Sequence, residues 1–226
     1  MMGTILAIVN YFSEKFHLLR HMQRMKFISF SGGVFISYLI LHLLPGIFEA
    51  SLAESRISLV FVLVGFSLFH LLEKFTYRRE SKNKEAMRRE LKEIHSMAFF
   101  FYHLILGIVL VGVFSRSSLT AGILFFIPVL LITLVSSLSL KEIHGNIRQK
   151  NNVKLLLSLS SLMGIIAATL FPLTSILYSI LLGFVVGVLL FIVIVDSIPK
   201  ERKGEPVFFI LGVVLYSALI GVTWLV

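Results

Sequence analysis

The stretch GVFISYLILHLLP, which runs from Gly33 to Pro45, has a second version later in the chain. That version, GVLLFIVIVDSIP from Gly187 to Pro199, keeps the Gly-Val pair, one polar residue and the proline at identical spacing. The polar residue is His42 in the first copy and Asp196 in the second. Both stretches lie in apolar runs, so each predicts a buried or membrane-embedded helix, and together they predict an internal repeat.

The apolar run that follows each copy repeats as well. Val60-Phe61, Gly65 and Leu68-Phe69 in the first half match Val207-Phe208, Gly212 and Leu215-Tyr216 in the second. If the topology given below holds, the two copies cross the bilayer in opposite directions. An inverted repeat of this kind is the usual construction of a secondary transporter.

The composition is that of a membrane protein. Of 226 residues, 57% are hydrophobic and 15% are charged, and the mean hydropathy is +0.95, whereas a soluble domain carries about a quarter charged residues. Cysteine is absent from the sequence, which excludes a disulfide framework and a thiolate metal site. The net charge of +9 comes from basic residues that alternate with apolar runs. That distribution favours the lipid bilayer, and not a nucleic acid, as the partner.

Seven apolar runs approach the roughly 20 residues that a helix needs to cross about 30 Å of hydrocarbon. Each must be helical because lipid offers no partner to a bare backbone amide. The predicted fold class is therefore all-α: a polytopic membrane helix bundle of seven transmembrane helices, forming a single domain over 28–226. The spans are predicted at 28–45, 57–73, 97–115, 119–140, 155–174, 176–195 and 207–226.

The basic residues predict the orientation of these spans. Four segments, 1–27, 74–96, 141–154 and 196–206, contain 19 of the 21 Lys and Arg, and the other side has only Arg56 and Arg116. By the positive-inside rule the N-terminus lies inside and the C-terminus outside. We expect a multi-pass protein of the plasma membrane.

Two cytoplasmic segments have alternative interpretations. In 1–27 the stripe Ile5, Ile8, Val9, Phe12, Phe16 and Leu19 predicts an interfacial amphipathic helix. The repeat offers a second interpretation, because the counterpart of 155–174 falls on 1–21, which would then be a lost or shortened span. The linker from Thr76 to His95 is predicted to be a basic cytoplasmic helix, and the basic loop 74–96 is either a contact for anionic lipids or a solvated loop that fixes topology.

A family resemblance enters with these spans. Ser31-Gly32-Gly33-Val34-Phe35 and Leu41-His42-Leu43-Leu44-Pro45 resemble the second span of ZIP-family metal transporters. The span with Gly65-Phe66 and Glu73 is similar to the third span of that family, Gly183 to Pro199 to the seventh, and 207–226 to the eighth. The resemblance implies a ZIP-like fold and transport of a divalent, zinc-type metal ion as substrate.

The departures from that family fall on its metal centre. ZIP proteins bind metal through His-Asn-x-x-Asp in the fourth span and His-Glu-x-Pro-His-Glu in the fifth. If Gly107 and Pro128 mark these patterns here, the matching positions hold Tyr102, His103 and Leu106, then Phe125, Phe126, Val129 and Leu130. Between 97 and 140 there is one His and no Asp or Glu. Since a divalent cation needs anionic or imidazole ligands, the resemblance predicts the scaffold without most of the centre.

Five polar residues remain as candidate metal ligands: His42, His103, Asp196, His70 and Glu73. Intramembrane titratable groups are functional hypotheses by default. For His103 the alternative is a neutral ring bonded to a neighbouring helix, and for His42 an interfacial histidine. His70 and Glu73 have i, i+3 spacing, which suits either a metal clip or an ion pair with Lys74. Asp196 marks an inner exit or caps the turn at Pro199.

Three classes of function follow. The first is a ZIP-like transporter of a divalent metal ion, or a degenerate relative, and the second is a non-transporting scaffold or regulatory protein with the same fold. The third, a membrane enzyme, is not expected, because no span contains His-x-x-x-His and no buried carboxylate pair or Ser-His pair stands out. A homodimer is one assembly compatible with these classes.

Overall fold

The structure is a computed structural model that describes residues 2–12, 21–53, 56–80, 86–144, 151–194 and 204–225. Within these ranges the chain is helical and contains no strand, which confirms the all-α prediction. A π turn, Leu39–Leu43, joins the second helix to the third. The helices are α1 (Met2–Phe12), α2 (His21–Tyr38), α3 (Leu44–Ala53), α4 (Ile57–Glu80), α5 (Ala86–Arg116), α6 (Leu119–His144), α7 (Asn151–Leu170), α8 (Ser175–Ile192) and α9 (Pro206–Trp224).

Five stretches of helix are long and apolar enough to cross a membrane: Met22–Glu49, Ile57–Phe75, Ser96–Arg116, Ser175–Ile192 and Pro206–Trp224. Two shorter apolar stretches are Leu119–Val135 in α6 and Leu155–Leu170 in α7. The outer helices leave large apolar side chains uncovered, such as Leu63 at 65% and Val207 at 71% exposure. Apolar surface of this extent fits contact with lipid, as predicted for an integral membrane protein.

Several helix boundaries differ from the predicted spans. Helix α7 ends at Leu170, four residues before the predicted end, because Pro172 disfavours helical conformation in the residue before it. Helix α4 continues to Glu80, and α5 begins at Ala86. Most of the predicted loop 74–96 is therefore helical backbone that extends the neighbouring spans.

Three helix pairs approach so closely that backbone touches backbone. Glycine permits each crossing because it has no Cβ. A Cβ at these positions would overlap a carbonyl oxygen of the partner helix. In the α2–α9 pair, Gly33 faces the carbonyl of Phe209 and Gly212 that of Phe30. In the α4–α8 pair, Gly183 faces the carbonyl of Ser58, Gly187 that of Val62 and Gly65 that of Phe184. In the α5–α7 pair, Gly107 faces the carbonyl of Ser161 and Gly164 that of Leu104.

The order of these contacts shows the direction of the helices. Between α2 and α9, the Glu205 N–H donates to Ser29 Oγ over 3.1 Å, and Ser37 Oγ donates to the Val213 carbonyl over 3.3 Å. Residue numbers rise together along both helices, so α2 and α9 run parallel. The contacts Gly183 to Ser58 and Gly187 to Val62 show that α4 and α8 also run parallel.

Arg116 joins two interhelical turns at one end of the bundle. Its guanidinium donates to Ser175 Oγ over 3.1 Å and to the Leu173 carbonyl over 2.6 Å, and lies 5.0 Å from the centre of the Tyr178 ring. The ends of α5 and α7 therefore meet the starts of α6 and α8 there. We call this end of the bundle the turn face, and the opposite end, where α5 and α7 begin, the linker face.

Helix α1 packs on the bundle beside α6 and α7. Leu6 and Ala7 are buried, and Gly3 lies against the side chain of Ile165. Ile5 and Ile8, two members of the predicted apolar stripe, are exposed and point away from this contact. These two residues therefore face outward, as they would toward lipid, while a different face of α1 meets α7; Phe16 and Leu19 lie outside the described residues.

Candidate functional site

The centre of the molecule is the place where α5 and α6 meet between α2 and α8. Its buried side chains are apolar and close-packed, and Pro128 of α6 is buried among them. They come from α5 (Leu106, Val109, Leu110, Val113), α6 (Leu124, Phe125, Val129, Ile132), α2 (Val34, Phe35) and α8 (Val185, Val186, Val188, Leu189). At this depth the side chains can only exclude water and pack, because hydrocarbon offers no ligand to an ion.

His103 is the buried imidazole of α5, with 1% of its surface exposed. Its Nδ1 lies 3.0 Å from the Phe99 carbonyl. A carbonyl only accepts hydrogen bonds, so Nδ1 carries a proton; in the neutral form of such a ring Nε2 has the lone pair, which is the arrangement of a metal-binding histidine. The ring is enclosed by Phe99 and Tyr102, whose ring centres lie at 3.9 and 4.9 Å. His103 is chemically able to bind a cation, but aromatic rings are its nearest neighbours.

Two hydroxyl groups accompany His103 in the buried core. Thr133 Oγ1 donates to the carbonyl of Val129 over 2.8 Å, one turn earlier in α6. The Tyr102 hydroxyl is buried and has no hydrogen-bond partner among the described residues. A hydroxyl that bonds its own helix is a poor ligand and does not replace a carboxylate.

Pro128 leaves a carbonyl of α6 without its usual helical donor, because proline has no N–H to give to residue 124. The Tyr216 hydroxyl of α9 donates to that Leu124 carbonyl over 2.6 Å. The sequence predicts a freed carbonyl near Pro128 but not its partner. The available signal is a tyrosine inside an apolar helix, since a buried Tyr hydroxyl usually finds an acceptor.

His42 lies in the π turn between α2 and α3 and is half-buried. Its ring centre is 5.4 Å from that of Tyr38, which in turn contacts Phe125 at 6.1 Å and Tyr216 at 6.2 Å. Phe125 lies early in α6 and Tyr216 in the second half of α9, both toward the turn face, so His42 lies in that half of the bundle. The structure thus separates His42 from His103, which is nearer the linker face.

Two of the three remaining candidates lie in the described part of the chain. His70 is exposed on α4, 6.4 Å from the Phe66 ring and 6.0 Å from the Phe191 ring, and Glu73 is half-buried one turn further on. Asp196 lies outside the described residues. In the ranges that the structure describes, no group of three or more His, Cys, Asp or Glu side chains is placed to hold a metal ion.

The chain matches no protein-family model and no curated protein at a significant level. The resemblance to ZIP proteins therefore rests on the residues quoted above alone.

Proposed function

We propose that this chain is an integral membrane protein of the inverted-repeat transporter class with a ZIP-like arrangement of helices. The observation that carries the proposal is a correspondence between two helix contacts. In the sequence, α2 and α8 are related by an offset of 154 residues, and α4 and α9 by 147. By these offsets Gly187 is the counterpart of Gly33, and Val62 is the counterpart of Phe209. The contact of Gly33 with the Phe209 carbonyl and the contact of Gly187 with the Val62 carbonyl are therefore equivalent, and both are present.

Three further contacts between α2 and α9 have counterparts between α8 and α4 at the same offsets. They involve a glycine, a helix end and a pair of side chains, so they sample the whole length of the crossing. The contact of Gly212 with Phe30 matches that of Gly65 with Phe184. The contact of Ser29 with Glu205 matches that of Gly183 with Ser58, and the contact of Ser37 with Val213 matches that of Phe191 with Phe66. A chance similarity of two apolar sequences would not reproduce four contacts.

The directions of the helices support inversion of the repeat. The connection from Ala53 to Ile57 is too short for anything but an antiparallel return, so α4 runs opposite to α2. Since α8 runs parallel to α4, it also runs opposite to its counterpart α2. Helix α1 would be the shortened counterpart of α7 in the same scheme, and it packs on α7 and on α6.

We assign the linker face to the cytoplasm, which leaves the N-terminus inside and the C-terminus outside. By the positive-inside rule this assignment puts the segments 1–27, 74–96, 141–154 and 196–206, which contain 19 of the 21 Lys and Arg, inside, and Arg56 and Arg116 outside. Contact of loop 74–96 with anionic lipids is part of this proposal. Fusion of a reporter after residue 226 should show an extracellular C-terminus.

The proposed activity is movement of a divalent, zinc-type metal ion, with His103 as the group that binds it inside the membrane. We expect purified protein in vesicles to take up Zn²⁺, Mn²⁺ or Fe²⁺ and His103→Ala to lose that uptake. In the same assay His42→Ala tests the turn-face histidine and His70→Ala tests the exposed histidine of α4, because both are candidate ligands. Uptake no higher than that of empty vesicles would refute transport of these ions.

A second candidate is a non-transporting scaffold or regulatory protein with the same fold. The close apolar packing of α5 against α6 favours it, since an ion entering there would exchange its water for hydrocarbon. This candidate predicts that the protein isolated from its own membrane carries a stable partner, and that His103→Ala does not weaken the association. Isolation of the protein alone, together with measurable ion flux, would exclude it.

A further inference from the structure

Helix α4 is the least covered of the five helical stretches that are apolar enough to cross a membrane. Only 11% of its most apolar window is buried in the molecule, against 17% in α9 and at least 50% in the other three. Large apolar side chains such as Val60, Leu63 and Leu71 are exposed along its outer face. A face of this composition fits lipid, with one exception.

The exception is His70, whose side chain is exposed on the same helix. It lies five residues before Phe75, the last residue of the apolar stretch, which places it about 7 Å inside that end at 1.5 Å per residue. Its ring neighbours are Phe66 and Phe191, at 6.4 and 6.0 Å between ring centres. Ionisable side chains within a membrane nearly always face protein or a water-filled cavity. An exposed imidazole at this depth therefore favours another protein surface as the cover of α4.

His70 and Glu73 together supply half of a metal site. They are three residues apart, so they are neighbours on the surface of α4. Because helical side chains lean toward the N-terminus, the Glu73 carboxylate can reach back to the level of the imidazole. Histidine and carboxylate at i, i+3 spacing supply metal ligands in helix bundles. One such pair gives two ligands, whereas Zn²⁺ takes four, and the described ranges of the chain bring no third His, Cys, Asp or Glu to them.

A second copy of the chain supplies the two missing ligands. Two copies that share one orientation in the membrane are related by a two-fold axis along the membrane normal, so their α4 helices run parallel. Each residue near the axis then meets its own counterpart at the same depth, and two pairs of His70 and Glu73 converge. A different protein would have to present matching ligands at that depth, whereas a copy of this chain does so by symmetry.

The charge and the ligand types indicate which cation fits. Two Glu73 carboxylates balance one divalent cation, so the complete site is neutral, which lowers the cost of holding an ion between two helices in lipid. Two imidazoles and two carboxylates in a tetrahedral set suit Zn²⁺, whereas Mg²⁺ and Ca²⁺ prefer six or more oxygen ligands. The centre of each copy lacks this balance, because 97–140 contains one His and no carboxylate.

We propose that two copies of this chain pair through α4 and hold one divalent, zinc-type cation between their His70 and Glu73 side chains, near the linker face. The proposal rests on the membrane placement of α4 in the proposed function and not on transport. It requires that the cation and His70 are both necessary for the contact between the two α4 helices.

Cysteine cross-linking can locate this contact because the chain contains no cysteine. Leu63 lies two helical turns before His70 on the outer face of α4, and Ile210 is its counterpart on α9 at the offset of 147. Their side chains are 65% and 59% exposed, so Leu63→Cys and Ile210→Cys are a matched pair. We would treat each full-length variant in liposomes with a short bis-maleimide, in EDTA or in Zn²⁺, and measure the covalent dimer on SDS gels.

The protein is diluted in lipid until the EDTA sample is mostly monomeric. We expect Zn²⁺ at about ten times its dissociation constant to raise the dimer fraction of L63C about tenfold, and I210C to stay at background. Adding His70→Ala or Glu73→Gln to L63C should remove the rise, which also excludes binding of Zn²⁺ by the new cysteines. Ser67→Ala is the control on α4, one turn before His70, and should keep the rise. Metal analysis of the unaltered protein should find one Zn²⁺ per two chains.

Equal dimer fractions in EDTA and Zn²⁺, or a rise that H70A leaves intact, would overturn the metal site. Cross-linking of I210C in place of L63C would overturn the choice of α4, and one Zn²⁺ per chain without cross-linking would overturn the second copy. If H70A lowers the thermal midpoint, Glu73→Gln decides instead. Vesicle flux separates the proposals: flux without a Zn²⁺-dependent dimer refutes this site alone, and a Zn²⁺-dependent dimer without flux refutes transport alone.

Discussion

The α2–α9 pair and the α4–α8 pair make the same close crossing with different flanking contacts. In both, a glycine of each helix lies on a carbonyl of the other. Beyond the glycines, α2–α9 is joined by hydrogen bonds at Ser29 and Ser37, whereas α4–α8 has a third glycine, Gly183, and the ring contact of Phe66 with Phe191. The difference teaches that the glycines determine the crossing and that the flanking positions tolerate very different chemistry.

The largest effect is expected from adding one methyl group at the shared positions. In Gly33→Ala and in Gly187→Ala the new Cβ overlaps a backbone carbonyl, which cannot rotate away. We expect each to lose about 1–3 kcal/mol of stability or more, the usual cost of overpacking, seen as a lower thermal midpoint of the purified protein in detergent.

Gly221→Ala is the matched control, because a Cβ there meets no atom within 4 Å. It should be neutral or slightly stabilising, since Ala favours helix over Gly by up to about 1 kcal/mol. If Gly33→Ala and Gly221→Ala behave alike, the two helices do not approach as closely as the structure shows, and the contact correspondence loses its basis.

The next largest effect concerns Tyr216 of α9, whose counterpart in α4, Phe69, has no hydroxyl. Tyr216→Phe makes α9 resemble α4 at Phe69 and leaves the Leu124 carbonyl without its donor. We expect a loss of about 1–2 kcal/mol, because the carbonyl lies in an apolar environment. The measurement is unfolding of the purified protein by SDS titration.

Pro128→Ala sharpens this prediction through a double-mutant cycle. The new N–H at residue 128 can donate to Leu124, so in that background Tyr216→Phe should cost clearly less, with a coupling of about 1 kcal/mol. Tyr178→Phe is the control tyrosine, since its ring lies under Arg116 instead of on α6. Additive effects of Y216F and P128A would show that the hydroxyl does not substitute for the missing helical donor.

Much of this comparison could be predicted from the sequence, because glycine and proline act through the backbone. The spacing of Gly33 and Pro45, and of Gly187 and Pro199, predicts two related membrane helices before any contact is known. The apolar centre is also predictable, because α5 and α6 carry one His and no carboxylate within 97–140. These features need no knowledge of which helices are neighbours.

The choice of neighbours could not be predicted. Inside lipid, Leu and Val are equally apolar on the buried and the exposed face of a helix, so periodicity does not reveal the packing side: Val34 is buried and Val207 exposed although both lie in similar apolar runs. The bond from Tyr216 to Leu124 spans 92 residues, and its acceptor is a backbone atom that any residue would supply. Such partners emerge only from the three-dimensional arrangement.

The smallest effect compares two serines at the same end of the two crossings. Ser29 Oγ accepts the Glu205 N–H at the start of α9, whereas Ser58 Oγ at the start of α4 is buried without a hydrogen-bond partner among the described residues. Ser29→Ala should therefore cost about 0.5–1.5 kcal/mol, and Ser58→Ala should be neutral or stabilising because it removes a buried, unsatisfied hydroxyl. Thermal midpoints of the two variants, measured in the same detergent, give the comparison. An equal loss in both would mean that the serines act through packing alone, and that the hydrogen bond of α2–α9 adds nothing to the glycine crossing.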